Sequence, residues 1–137
     1  MNIYLDIFSG ITENKLLGAL IDLGIDLDKL KEEILKLNII DYLEIKTKKG
    51  TKKKTIASYF ELNFDEKEKD FDLDKIINFI ENSSLSNVIK EKAKNIFLTI
   101  AEAEAKVFYN DQNKADSFSA SLKDIIYVLS ILISFEI

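Results

Sequence analysis

The 137-residue sequence has no cysteine, no histidine and no proline, and only four glycines. Without cysteine there is no disulfide framework and no thiolate nucleophile. Without histidine the usual proton carrier near neutral pH is missing, so Ser-His-Asp and Cys-His machinery are excluded. Zinc, copper or nickel held by imidazole or thiolate groups of this chain is excluded with them, although carboxylates could still hold a hard cation. An excess of positive charge is also lacking: the formal net charge is −5, which argues against a nucleic-acid partner. The most apolar run, residues 125–135, falls short of the roughly 20 residues a membrane span needs, so a buried helix is expected and no membrane partner. The opening residues carry neither the basic region nor the long apolar stretch of an export signal, which predicts a cytoplasmic chain. The missing proline, beside heavy use of isoleucine, lysine and asparagine, reflects compositional habit and not a mechanism.

What is present predicts one α+β domain over residues 1–137: a small, mostly antiparallel sheet of about three strands with five or so packed helices. Residues 1–64 form a strand, helix-hairpin and β-hairpin half, and residues 72–137 a helical half. Ile3, Leu5 and Ile7 alternate with Tyr4, Asp6 and Phe8, the period of a strand. Thr12 is placed to cap a helix that Gly24 ends, and Asp26 to cap a second with the stripe Leu27, Leu30, Ile34 and Leu37. A turn this short predicts that the two helices pack as a hairpin. Two alternating runs around residues 42–47 and 56–64, joined by a lysine-rich link containing Gly50, predict a β-hairpin. Residues 65–74 and 110–121 are expected to be loops. Between them lie a short helix with Leu73, Ile76, Ile77 and Ile80, and a long one whose stripe is Ile89, Ala93, Ile96, Ile100, Ala103 and Val107. The final helix, from near Leu122, is apolar on nearly every side and calls for cover, so it is a candidate homo-oligomer surface.

Few clusters carry chemistry. The carboxylates of residues 65–74 are interleaved with Lys67 and Lys69 and lack the spacing of an EF-hand, so a solvated loop is the simpler reading. Lys49, Lys52 and Lys53, in the hairpin link, are candidate phosphate contacts, each a mobile point charge; the bland alternative is a solubilising tip. Asp6 sits in an apolar strand just before Ser9-Gly10 and a helix start, where a carboxylate is costly unless paired. It either binds a ligand there or accepts N–H bonds from the turn. One glycine makes no phosphate-binding loop.

Three segments together resemble one family. Tyr4-Leu5-Asp6-Ile7-Phe8-Ser9-Gly10-Ile11, with Leu17-Gly18-Ala19-Leu20-Ile21-Asp22-Leu23-Gly24, is similar to the N-terminal signature of the LarC family, the nickel-insertion proteins of the lactate-racemase system. Ser83 to Ser86, with Val88 and Lys90 to Ala93, resembles its middle helix start, and Ile96-Phe97 with Ala101 to Val107 the helix that follows. The resemblance spans the whole chain but only the N-terminal third or so of a family member. It implies a cyclometallase that inserts nickel into a thiocarboxylated pyridinium mononucleotide, helped by a nucleoside triphosphate with a divalent cation.

The departures fall on polar positions. Glu13-Asn14-Lys15 stands where the family has Gly-Asp-Met, and Phe108-Tyr109 where it has His-Gly. The family's histidines near residues 65–74 are missing, and its His-Phe-His-Glu-Val-Gly-Ala segment is replaced by Ala115 to Ala120. Leu122-Lys123-Asp124-Ile125-Ile126 still resembles the next helix. The resemblance therefore carries over Asp6, Ser9, Gly10 and Asp124 as ligand-binding candidates, with no metal ligand and no cofactor held by this chain. It implies a truncated nickel-insertion domain that kept its fold and lost metal ligands, inactive alone and served by a separate chain supplying the missing C-terminal region. The alternatives are a non-catalytic interaction or oligomerisation domain and a nucleotide- or phosphate-binding module.

Overall fold

A computed structural model describes residues 3–7, 10–52, 54–65, 70–109 and 118–137. The elements run α1 (Glu13–Asp22), α2 (Leu27–Leu35), β1 (Leu43–Lys52), β2 (Thr55–Phe64), β3 (Asp70–Asp72), α3 (Leu73–Asn82), α4 (Asn87–Tyr109), β4 (Ser119–Ser121) and α5 (Leu122–Glu136). The fold is α+β, as the sequence implied, but its four strands form two separate antiparallel pairs, β1–β2 and β3–β4.

The helix starts follow local chemistry. Thr12 Oγ1 accepts from Lys15 N–H at 3.4 Å, and Asp26 Oδ1 accepts from the N–H groups of Asp28 and Lys29 at 3.0 and 3.1 Å. Each satisfies donors that a helix end leaves open. Gly24 ends α1 at φ +103°, a conformation that suits glycine.

α5 is the hub. Leu122, Ile125, Ile126, Leu129 and Ile133 are buried, and α1, α2 and α4 all pack on it. Its two buried serines are satisfied within the helix, Ser130 donating to Ile126 C=O and Ser134 to Ser130 C=O, each at 2.7 Å. The apolar girth of this helix is thus largely covered within the chain. Val128, Ile131 and Leu132 are half-buried, and Phe135 and Ile137 at its end are exposed.

Several sequence expectations are corrected. The segment expected to be the first strand, residues 3–7, has no strand pairing among the described residues, and Ile3, Tyr4, Leu5 and Ile7 are exposed. α1 packs chiefly on β2 and next on α5, and α2 chiefly on α5, in place of the expected α1–α2 hairpin packing. Gly50 lies inside β1 opposite Ala57, not in the turn. The Tyr59 ring lies against it, an ideal Cβ there falling 3.7 Å from Tyr59 Cδ2. Both strands therefore run further, to the pair Lys52–Thr55, and Lys54 takes φ +70° beyond them. Parts of both expected loops pair as β3–β4, since Phe71 is a buried anchor between two aspartates and meets Phe79 edge-on at 5.1 Å. On α4 the buried stripe is Ile89, Ala93, Phe97, Ala101 and Ala105. The expected Ile100 and Val107 are outside, and Phe97, 1% exposed, takes the interior between Ala93 and Ala101.

Candidate functional site

The outer edge of β2 is closed by a helix. Asp22, in the last turn of α1, accepts from Ser58 N–H at 2.9 Å and from Ser58 Oγ–H at 2.6 Å. Gly18 is what lets α1 come so near: a Cβ there would stand 2.3 Å from the Ser58 carbonyl oxygen. The two Ser58 bonds hold the Asp22 carboxyl below the usual carboxylate range, with a smaller contribution from Lys49, whose Nζ is 3.9 Å away.

Further along this edge, α1 and α5 begin side by side and a cavity of about 510 Å³ opens between their first turns and β2. Asn14 from α1, Lys123 and Tyr127 from α5, and Tyr59, Glu61 and Asn63 from β2 line it. Tyr127 forms its floor. The ring is buried, 4% exposed, and meets Phe60 edge-on at 6.3 Å. Lys123 Nζ lies 5.8 Å from the Tyr127 ring centroid, within cation–π range. Burial pushes the Tyr127 phenol up; the Glu13 and Glu61 carboxylates push the same way, and hydrogen bonding from the Leu62 backbone and the Asn14 side chain opposes them. The phenol is therefore neutral at physiological pH. At the rim Asn63 Nδ2 donates to Glu44 Oε2 at 3.3 Å, and Lys46 Nζ pairs with Glu44 at 3.2 Å. These bonds, that of Lys46 first, hold the Glu44 carboxyl low.

Of the residues singled out in the sequence, Asp6, Gly10, Lys49 and Asp124 do not line this cavity. Asp6 lies in the exposed segment 3–7. Gly10 takes φ +82° and donates its N–H to Ile7 C=O at 2.9 Å, closing a turn before α1. Asp124 closes a capping box: Ser121 N–H and Oγ–H reach its Oδ2 at 3.3 and 2.7 Å, and its own N–H donates to Ser121 Oγ at 3.1 Å. Lys49 is exposed beside Asp22. Ser9, Lys53 and the Lys52 side chain lie outside the described residues. Among the described residues no group of three or more carboxylates, histidines or cysteines is placed to hold a metal ion.

Sequence reasoning passed over Asn14, Lys123 and Tyr127. A signal was available for two of them. Asn14 stands at the aspartate of the family's Gly-Asp-Met step, and Lys123 lies inside the matched stretch that opens α5. The two signature segments thus meet at one cavity.

Comparison with known proteins decides the family. The family model for nickel insertion proteins matches residues 3–136. The chain belongs to the nickel insertion protein family. A relative from Dictyoglomus thermophilum named for nickel insertion is 38% identical over 135 residues, covering 98% of this chain and 35% of the relative. The pyridinium-3,5-bisthiocarboxylic acid mononucleotide nickel insertion protein of a Thermotoga species is 33% identical over 139 residues, covering 90% of this chain and 34% of its own length. The protein of the same name from Staphylococcus saprophyticus is 35% identical over 105 residues, covering 77% and 27%. This member of the family therefore spans about a third of the length of the relatives it matches. No solved structure matches it. Among the described residues no helix is long and apolar enough to cross a membrane.

Proposed function

We propose that this chain supplies one region of a nickel insertion machine acting on a pyridinium bisthiocarboxylate mononucleotide in the cytoplasm. The observation that carries the reading is the family match over residues 3–136, joined to relatives whose names state that substrate. Nickel in this reaction is cargo, brought to the pyridinium thiocarboxylates and not housed by this chain. With no histidine or cysteine, the chain has no imidazole or thiolate to offer nickel. Its part is to present the organic substrate, while the remaining two-thirds of a relative's length, on the same or a separate polypeptide, supplies metal handling and nucleotide chemistry.

The test is a chimera. This chain replaces the matched third of the Thermotoga relative, and nickel transferred to the mononucleotide is measured against the same relative with that third deleted. Transfer by the chimera and none by the deletion is the expected result. A folded chimera as inert as the deletion would overturn the reading. Equilibrium dialysis of the tag-free chain against nickel accompanies it. No stoichiometric binding is expected, and tight binding would show that carboxylates of this chain handle the metal after all.

A further inference from the structure

The cavity between β2 and the first turns of α1 and α5 combines groups of opposite demand. Tyr127 presents a buried ring, and Tyr59 a second, largely exposed one at the mouth. Lys123 contributes an ammonium and Glu61 a carboxylate, and Asn14 and Asn63 are neutral hydrogen-bonding amides. A purely anionic ligand would meet Glu61, and a purely cationic one would meet Lys123. The complement of the whole set is a zwitterion: a flat cationic ring carrying acidic substituents. The position of Lys123 marks where that ring belongs. Its ammonium already lies 5.8 Å from the Tyr127 ring centroid, so this tyrosine ring accommodates a cation in the resting chain.

We propose that this cavity is the pyridinium subsite of the chain. The cationic ring of a pyridinium carboxylate mononucleotide packs against Tyr127, and Lys123 swings off that ring to meet the carboxylate or phosphate. Glu61 faces the ring's positive charge, and Asn14 hydrogen-bonds an acidic substituent. The Asn14 amide can donate to such a group. The buried Tyr127 phenol remains protonated and adds no negative charge. The assignment rests on the nickel-insertion reading for the identity of the ring, and on the geometry alone for its place.

Nicotinic acid mononucleotide, a pyridinium-3-carboxylate mononucleotide, is the probe, titrated into the ¹⁵N-labelled chain and followed by amide chemical shifts. Ribose 5-phosphate serves as a control with the phosphate and no ring. Shifts clustered at Asn14, Glu61, Lys123 and Tyr127 are expected with the mononucleotide and not with the control. Lys123→Gln, at an exposed position, is expected to weaken binding by about five- to tenfold, the loss of one partly screened charge contact. Its amide spectrum shows directly that it is folded. Equal shifts from ribose 5-phosphate, shifts confined to the lysines of the hairpin tip, or none at all would overturn the assignment. An active chimera with no probe binding here would remove this site and leave the nickel-insertion reading intact. Probe binding here in an inert chimera would do the reverse.

Discussion

Gly18 is the most exacting position in the molecule, and Gly18→Ala measures it. In an isolated helix the change would be favourable by about 1 kcal/mol, since glycine is that much poorer a helix former than alanine. Here the new methyl carbon would sit 2.3 Å from the Ser58 carbonyl oxygen and 3.3 Å from its carbonyl carbon. Ordinary contact begins at 3.4 Å, so α1 and β2 must separate by 3.4 − 2.3 = 1.1 Å. The obstructing atom is backbone in a paired strand, not a side-chain end that can rotate away. Over-packing of this kind costs about 1–3 kcal/mol, and a backbone-on-backbone clash belongs at the top of that range. Subtracting the propensity gain leaves about 2 kcal/mol of net destabilisation. The same displacement pulls Asp22, one turn along α1, away from the 2.9 and 2.6 Å bonds to Ser58, so the loss is not confined to the contact. Urea unfolding followed by circular dichroism at 222 nm reads it. With a slope of about 2 kcal/mol per molar, the midpoint should fall by about 1 M. Ala19→Gly, at the exposed neighbour, gives the propensity scale of the same helix. A Gly18→Ala midpoint equal to or above the parent would refute the close approach of α1 to β2.

Two further outcomes concern pH. Tyr127, raised chiefly by burial, contributes stability that is full below its unfolded pKa near 10.0 and is lost as pH rises through the higher folded value. A spectrophotometric titration at 295 nm should show one of the five tyrosines ionising last and together with alkaline unfolding; removal of that late step by any substitution other than one at Tyr127 would contradict this. Asp22, lowered chiefly by its Ser58 bonds, contributes stability that is present above its unfolded pKa near 3.8 and is lost as pH falls through the lower folded value. Asp22→Asn should therefore lower the neutral plateau of a stability-against-pH curve and flatten its acid limb, the two curves converging at low pH; a difference that persists unchanged into acid would show that the Ser58 bonds carry no linkage.

Much of the fold was legible because local chemistry determined it. Thr12, Asp26 and Gly24 act where their side chains or backbone freedom predict. The β-hairpin followed from alternation, although Gly50 misled as to its turn: a glycine under the Tyr59 ring looks the same in sequence as a glycine in a loop. Periodicity alone could not settle α4. Two apolar stripes run along it, one ending at Ala105 and one at Val107, and only the packing of Phe97 decides between them. The paired fragments β3 and β4 were invisible because three-residue strands carry no period, and their pairing joins residues 47 or more apart in sequence. That α1, α2 and α4 all converge on the final helix was not legible, because apolar residues all round a helix call for cover without saying what supplies it. As for the site, Asp6, Gly10 and Asp124, carried over by resemblance, do not line the cavity. Asn14, Lys123 and Tyr127 became visible only when α1 and α5 were seen to start together.

The central place of α5 has a consequence for synthesis. The helix on which α1, α2 and α4 pack is the last of the described elements to be made, and its contacts with α1 join residues about a hundred positions apart. A nascent chain holding everything up to β4 has α1 on the β1–β2 pair and α3 on α4, but lacks the helix that joins α1, α2 and α4, so its packing should stay incomplete. Closure awaits the final fifteen residues of α5. In a longer relative, that moment would come while the remaining two-thirds is still being translated. A stop or frameshift within α5 would therefore not trim the edge of this domain; it would remove the support around which the earlier hundred residues assemble.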